Sequence, residues 1–197
     1  MTIIDVVRAI HDPAMQISPA QIELIGSAVL ARSPGCRLLV FGLGRDAALW
    51  LALNSAGETL FVEDQPAYAA RAPRGARIEM IDFAAHTSVG SSLTLDVRAL
   101  DAAPLPPSLT HEPFDVILVD GPAGFHMDDP GRALAIRWAS RLMRRETHVF
   151  VDDYNRAVER HFADLLLRHD NPPCVEIANE REAGKVMLWR IGRSIAT

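Results

Sequence analysis

Short apolar segments that alternate with helical ones constrain the fold of this 197-residue chain more than any other feature. Several of these segments are apolar on both faces and are bounded by glycine or polar residues, which is typical of strands buried in a parallel sheet. They read RLLVF, ETLFVE, ARIEMID, FDVILVD and THVFVD, and stretches with helical spacing such as RALAIRWASRLM lie between them. The alternation predicts an α/β fold in which a mostly parallel, twisted sheet carries helices on both faces.

The two ends of the chain depart from this alternating pattern. Near the N-terminus, Ser18 is placed to cap a helix that has Pro19 at its first position and runs to about Arg32. We expect residues 1–36 to form a helical segment that lies as a lid over the ligand-binding edge of the sheet, and residues 37–197 to form the α/β part of one compact domain. Two further segments, PCVEIAN and GKVMLWRI, predict a closing antiparallel strand pair.

Charge and composition narrow the classes of partner. The formal net charge is -5, and the only adjacent pair of basic side chains is Arg144 and Arg145. A nucleic-acid or anionic-membrane surface needs clustered lysine and arginine, so we expect neither partner. The sequence has no secretory signal pattern and no run of about 18 apolar residues. We therefore expect a cytoplasmic protein that acts on a small molecule.

A glycine turn follows the first predicted strand, in the segment LLVFGLGRDAALW. The apolar run ends at Gly42, Leu43 and Gly44 follow, and a helix is expected from about Asp46. Glycines lack a Cβ atom, so the backbone can approach a ligand closely, and the free N–H groups of the helix start lie nearby. The three-glycine dinucleotide fingerprint is incomplete because Ala47 occupies its third position. Taken alone, the turn is weak evidence for a ligand, because it can also serve only to change the direction of the chain.

Two acidic residues end the second predicted strand. Glu63 and Asp64 lie about 20 residues beyond the glycines, where an acid that accepts the hydroxyls of an adenosine ribose is expected. Glu63 is the better candidate because it directly terminates the apolar run, whereas Asp64 could also cap a helix that begins near Pro66. The turn and the acids together predict a site for an adenosine-type cofactor.

More carboxylates follow the next strands of the sheet. Asp120 ends one strand, and Asp152 and Asp153 end another, with Asn155 two residues further on. Carboxylates that share a cleft repel each other unless a cation or a shared proton intervenes. Oxygen ligands suit a hard ion, so Asp120, Asp153 and Asn155 are candidate ligands for Mg2+, Mn2+ or Co2+, with Asp152 as the alternative to Asn155. A plainer explanation is that Asp152 or Asp153 caps the following helix.

Several motifs agree with one known family. The segments LLVFGLGRDAALWLALNSAGETLFVED, FDVILVDGPAGF and VFVDDYNRAVE resemble, in order and spacing, the glucuronoxylan 4-O-methyltransferase family of S-adenosylmethionine-dependent enzymes, over about residues 15 to 160. The resemblance implies a Rossmann-like methyltransferase fold with S-adenosylmethionine as cofactor. It places Gly42 and Gly44 beside the methionine part, Glu63 on the ribose and Asp120 at the reacting centre. Asp153 and Arg156 match a family motif whose flanking residues differ here.

The expected activity is methyl transfer to oxygen on a small cytosolic acceptor, either a sugar acid or a secondary-metabolite intermediate. A hydroxyl must lose its proton to become a good nucleophile, and a divalent ion, Asp120 or His126 could promote that loss. Arg132 stands at a helix start, where a cation is unfavourable next to the helix dipole. We therefore expect Arg132 to pair with an acceptor carboxylate or with a cleft aspartate.

Two alternatives remain open from the sequence. One is a nucleotide-binding module without catalysis, which would keep Glu63 and the glycines but would not need Asp120 and Asp153 together. The other is a nicotinamide-dependent oxidoreductase, which the missing third glycine disfavours.

Overall fold

The computed structural model describes Ile3, Val6, Ile10, Asp12, residues 14–168 and residues 174–191. Most of the first 13 residues of the predicted lid therefore lie outside the described residues. The helix predicted after Ser18 is present as α1, Pro19–Leu30. Its capping box is complete, because Ser18 and Gln21 each accept the other's backbone N–H.

The described residues form a seven-stranded sheet in the order β3-β2-β1-β4-β5-β7-β6. Neighbours among β1 to β5 run parallel, whereas β7 is antiparallel to both β5 and β6. The α/β class and the closing antiparallel pair predicted from the sequence are thus confirmed. The strands are β1 Arg37–Phe41, β2 Glu58–Glu63, β3 Arg77–Met80, β4 Val116–Val119, β5 His148–Val151, β6 Val175–Ala178 and β7 Val186–Ile191.

Helices pack on both faces of this sheet. Side chains alternate along β1, so that Leu39 and Phe41 belong to the core on one face of the sheet, while Leu38 and Val40 belong to the core on the other face. The first core includes side chains of α5 and α6, and the second includes side chains of α1 and α2. After α1 the helices are α2 Ala47–Leu53, α3 Pro66–Ala69, α4 Val89–Ser92, α5 Ala133–Leu142 and α6 Ala157–Leu166.

The connection from β3 to β4 is less regular than the rest. It contains α4 and three 3-10 turns, at Phe83–Ala85, Val97–Ala102 and Pro107–Leu109. None of the helices among the described residues is both long and apolar enough to cross a membrane. Because β1, β2, β4 and β5 are parallel, their carboxyl ends lie at one edge of the sheet, where ligands bind in open α/β folds.

Buried Asn54 connects the amino ends of β1 and β2, which lie on the side of the sheet away from these carboxyl ends. Its Nδ2 donates to the carbonyl oxygens of Cys36 at 3.1 Å and Glu58 at 3.0 Å, and to Oγ1 of Thr59 at 3.0 Å. The asparagine therefore ties the end of α2 to the start of both strands. Without it, each of these three oxygens would lose one hydrogen-bond donor.

We expect Asn54→Ala to lower the free energy of unfolding by about 1–3 kcal/mol, because three hydrogen bonds donated by the buried Asn54 side chain are lost. Urea denaturation followed by circular dichroism measures the change. Ser55→Ala is the matched control, since Ser55 is exposed and adjacent; its effect should stay within about 0.5 kcal/mol. Equal effects of the two substitutions would show that the Asn54 side chain does not hold this edge together.

Candidate active site

A cleft of about 270 Å³ opens at the carboxyl edge of the sheet. Its walls come from the turns after β1, β2 and β4 and from the segment before α1. They are formed by residues 14–17, residues 42–46, residues 63–65 with Tyr68, and residues 120–123 with Phe125 and Arg132. Every residue that the sequence placed in the cofactor site lines this cleft, and so does Arg132.

The glycine turn after β1 packs against the turn after β4. Gly42 has φ of +104°, and a Cβ atom built there would lie 2.9 Å from the carbonyl oxygen of Asp120. A Cβ atom on Gly121 would lie 2.7 Å from Cα of Gly42. Glycine is therefore required at both positions for the two backbones to meet, and the turn has a structural role in addition to lining the cleft. A side chain on Gly44 would meet Oδ1 of Asp46 at 2.7 Å.

Glu63 holds the glycine turn and the end of β2 together. Its side chain is 5% exposed, and Oε2 accepts the backbone N–H of Leu43 at 2.7 Å. Oε1 accepts the N–H groups of Asp64 at 2.9 Å and Gln65 at 2.7 Å. Burial raises the pKa of Glu63, while these backbone donors favour its ionised form. A carboxylate has about four lone-pair sites, so Glu63 keeps the capacity to accept a further hydrogen bond.

Asp64 has a different environment. It is partly exposed at the cleft wall, and its Oδ2 accepts a hydrogen bond from Nε2 of Gln65 at 3.2 Å. The alternative in which Asp64 caps the next helix is wrong, because α3 begins after Gln65 without any side-chain cap. Glu63 is thus the buried and oriented acid of the pair.

Three carboxylates and two cationic side chains meet after β4 and β5, next to the part of the cleft that Asp120 lines, hereafter its acidic end. Oxygens of Asp120, Asp152 and Asp153 lie within 4.8 Å of one another. Nη2 of Arg132 lies 3.1 Å from Oδ1 of Asp120 and 2.8 Å from Oδ2 of Asp153. Nζ of Lys185 lies 2.8 Å from Oδ2 of Asp152 and 3.3 Å from Oδ1 of Asp153. Side-chain cations therefore separate carboxylates that would otherwise repel each other.

The carboxylates of this cluster differ in proton affinity. Burial and the neighbouring Asp152 raise the pKa of Asp120 well above its usual range, against the opposing effect of Arg132. Burial would also raise the pKa of Asp153, but Arg132, Lys185 and Arg156 outweigh it and lower that pKa. Asp120 is thus the more basic of the two and faces the cleft, whereas Asp153 stays ionised.

The other predicted site residues, Arg132, His126 and Asn155, lie in different environments. Arg132 pairs with cleft aspartates, as its position at the helix start led us to expect. His126 is exposed and does not line the cleft. Asn155 is also exposed, and its Oδ1 accepts the N–H of Val186 at 3.1 Å. Of the two alternatives for the third ligand, Asp152 and not Asn155 lies with Asp120 and Asp153.

At this cluster one sequence-based explanation is wrong and one residue was missed. The plainer explanation, in which Asp152 or Asp153 caps a helix, is wrong because α6 begins after Arg156 without a side-chain cap. Lys185, which is 4% exposed, was not selected from the sequence. A lysine directly before a strand was the only signal, and its burial arises from the packing of the final hairpin.

Solved structures of methyltransferases share this fold. An O-methyltransferase from Bacillus cereus, solved in complex with SAH, aligns with a TM-score of 0.56 at 17% identity and covers 96% of this chain and 88% of its own. A putative O-methyltransferase from Klebsiella pneumoniae aligns with a TM-score of 0.55 at 16% identity and covers 96% and 88%. These structural alignments show the Rossmann-like methyltransferase fold.

Relatives found by sequence are more similar to this chain in sequence than these solved structures are. Glucuronoxylan 4-O-methyltransferase 2 of Arabidopsis thaliana is 33% identical over 184 residues, which cover 80% of this chain and 63% of the relative. Arabinogalactan O-methyltransferase 2 of the same plant is 32% identical and covers 71% and 57%. The chain thus spans less than two thirds of the length of these relatives. The model of the IRX15/IRX15L/GXM family matches residues 20–95 and 84–177. The chain belongs to the IRX15/IRX15L/GXM family.

Proposed function

We propose that the chain is an S-adenosylmethionine-dependent O-methyltransferase that acts on a carbohydrate hydroxyl. The observation that carries this proposal is one cleft with a buried, oriented Glu63 at one end and a basic Asp120 at the other. The names of the relatives, which specify glucuronoxylan and arabinogalactan, support a carbohydrate acceptor. They favour a polysaccharide over the small cytosolic acceptor predicted from the sequence. The cytoplasmic location stays a prediction.

The residues of the cleft fit the proposed cofactor. The backbone of Gly42 and Gly44 borders the cleft without side chains, and Glu63 offers a carboxylate for ribose hydroxyls. When bound, S-adenosylmethionine supplies a methyl group on a positively charged sulfur. Hydrogen bonds from Leu43, Asp64 and Gln65 hold Glu63 in place before any ligand arrives, which lowers the cost of ordering it on binding.

Asp120 is the proposed general base. Its raised pKa brings a carboxylate closer to the working pH, where a base takes a proton from a hydroxyl most effectively. Arg132 holds Oδ1 of Asp120 at 3.1 Å and also donates to the carbonyl oxygen of Asp152 at 2.8 Å. The guanidinium therefore fixes the base relative to β5. His126 is not needed as a base in this arrangement, since it does not line the cleft.

A divalent cation is the other component that the sequence predicted here. The oxygens of Asp120, Asp152 and Asp153 are a donor set that suits Mg2+ or Mn2+. However, Arg132 and Lys185 already pair with these carboxylates, and an entering ion would have to displace them. In the proposed reaction Arg132 and Lys185, together with Arg156 on Asp153, therefore balance the charge of the cluster.

The N-terminal segment contributes to the proposed cofactor site. Residues 14–17 form one wall of the cleft, and within them Met15 and Ile17 are buried. Nδ2 of Asn179, in the turn between β6 and β7, donates to the carbonyl oxygen of Gln16 at 2.9 Å. Within the predicted lid of residues 1–36, these contacts support a covering role for residues 14–17, because a cover that excludes water favours methyl transfer. Helix α1 instead packs in a core on one face of the sheet.

The two alternative functions account for less of the site. A binding module without catalysis has no need of a basic Asp120 held by a buried arginine. A nicotinamide-dependent oxidoreductase is disfavoured because Ala47 replaces the third glycine of the dinucleotide fingerprint.

For the cofactor site, we expect Glu63→Gln to weaken S-adenosylmethionine binding at least about tenfold, because charge-assisted hydrogen bonds to the ribose contribute roughly 1.5–3 kcal/mol. Titration calorimetry measures the affinity, and the thermal unfolding midpoint verifies that the variant is folded. Asp128→Asn is the control, because Asp128 is an exposed carboxylate that does not line the cleft; it should change affinity by less than about threefold. A folded Glu63→Gln variant with unchanged affinity would remove the ribose role of Glu63.

For the base, we expect Asp120→Asn to lower kcat by about 10²–10⁴-fold, because the amide cannot take the proton. The wild-type rate should fall as pH drops through the raised pKa of Asp120, since only the ionised carboxylate accepts a proton, and the variant should lack this dependence. Initial rates with S-adenosylmethionine and glucuronoxylan oligosaccharides measure both effects.

Asp128→Asn is the matched control for the base, because Asp128 is an exposed carboxylate in the same loop. Its kcat should equal that of the wild type. The same assay in excess chelator should also leave the wild-type rate unchanged. A rate abolished by chelator and restored by Mg2+, Mn2+ or Co2+ would transfer activation of the hydroxyl from Asp120 to a metal.

A further inference from the structure

An exposed aromatic ring stands at the acidic end of the cleft. Phe125 lies in the loop after β4, lines the cleft together with Asp120 and Arg132, and is 60% exposed. Single exposed apolar side chains are common on protein surfaces and need no explanation by themselves. Phe125 differs because its position is fixed by neighbours that also hold the acidic cluster.

The guanidinium of Arg156 packs against the Phe125 ring. Its Cζ lies 4.2 Å from the centre of the Phe125 ring, within the range of a cation–π contact. Nη2 of Arg156 lies 3.0 Å from Oδ2 of Asp153, and the same oxygen lies 2.8 Å from Nη2 of Arg132. Arg132 in turn holds Asp120. A continuous series of contacts thus sets the position of the ring relative to the proposed base.

The loop that carries the ring is itself ordered by hydrogen bonds. Oδ2 of Asp129 accepts the backbone N–H of Phe125 at 2.7 Å and that of His126 at 2.8 Å. The carbonyl oxygen of Asp129 accepts the N–H of Val89 at 2.8 Å, which ties the loop to α4. Phe125 is therefore held in place while most of its surface stays in water. Such an ordered exposed ring is suited to contact a ligand at little entropic cost.

We propose that Phe125 is a stacking platform for a sugar ring of the acceptor, placed so that a hydroxyl of the saccharide reaches Asp120. This inference rests on the proposed carbohydrate O-methyltransferase activity. A pyranose presents an apolar face of C–H groups, which packs against an aromatic ring, while its hydroxyls point outward toward polar partners. Tyr68, the other exposed aromatic residue of the cleft, lies on the wall formed after β2 near Glu63, which is the proposed cofactor side.

A purely structural role for Phe125 makes different predictions. If the ring only shields the ion pair of Arg156 and Asp153 from water, its removal would lower stability and disturb the whole cluster, including binding of the cofactor. A platform for the acceptor contributes to acceptor binding alone. The Michaelis constants of the two substrates therefore distinguish the two roles.

The test compares Phe125→Ala and Phe125→Trp with the wild type, using S-adenosylmethionine and glucuronoxylan oligosaccharides as substrates. We expect Phe125→Ala to raise KM for the oligosaccharide about tenfold, with kcat and KM for S-adenosylmethionine within about twofold. Phe125→Trp keeps an aromatic face and should keep KM for the oligosaccharide within about threefold. Met127→Ala is the matched control, since Met127 is 59% exposed in the same loop but does not line the cleft.

Saturation-transfer NMR of the oligosaccharide on the protein gives a readout that needs no turnover. We expect transfer to the C–H protons of the sugar in the wild type, Phe125→Trp and Met127→Ala, and clearly weaker transfer in Phe125→Ala at the same oligosaccharide concentration. Oligosaccharide binding that is as strong in Phe125→Ala as in the wild type, or that is absent in the wild type, would overturn the platform. If the wild type bound the oligosaccharide through Phe125 but transferred no methyl group, the platform would stand and the proposed activity would fail.

Discussion

The buried guanidinium of Arg132 is the interaction on which the architecture of the cleft depends. Its side chain is 4% exposed, and a buried charge costs several kcal/mol unless it is paired and hydrogen-bonded. Arg132 meets that requirement with Asp120 at the end of β4, and with Asp153 and the carbonyl oxygen of Asp152 after β5. One side chain at the start of α5 thus joins two neighbouring strand ends. These contacts of Arg132 set the position of Asp120, the proposed base.

Glu63 organises the other end of the cleft by a related principle. It is buried, like Arg132, but its partners are backbone N–H groups from the glycine turn and from the residues that follow β2. Two carboxylates in one cleft therefore have different environments. Glu63 is held by backbone donors and faces the proposed cofactor side, whereas Asp120 is desolvated next to Asp152 and has a higher proton affinity than an ordinary aspartate. Such a division suits one acid for binding and the other for proton transfer.

The sequence predicted the parts of this arrangement that depend on local pattern. Apolar runs fixed the strands, and the residue at the end of each run, such as Glu63 or Asp120, could be placed at the carboxyl edge of a parallel sheet. Packing between distant segments was not predictable in the same way. Lys185 is buried because the final hairpin pairs with β5. Asn155 lies outside the acidic cluster, and the backbone turns just before it, at Asp153, which has φ of 54°. Neither effect has a signature in hydrophobic periodicity.

The sequence also gave no reason to select Phe125. Its exposure and its contact with Arg156 result from the hydrogen bonds of Asp129 within the loop, which no apolar pattern encodes. Arg156 itself matched a family motif, yet its place beneath the ring depends on how that loop returns toward α6. Residues that set substrate specificity on loops are thus harder to identify from one sequence than residues at strand ends.

A crystal structure of the chain with S-adenosylhomocysteine tests the central claim most directly, since that claim is the division of the cleft into a Glu63 end and an Asp120 end. We expect the ribose hydroxyls to hydrogen-bond to the Glu63 carboxylate and the sulfur to lie on the Asp120 side, with the ion pairs of Arg132 intact. A ligand bound outside this cleft, or one whose ribose makes no contact with Glu63, would contradict the account.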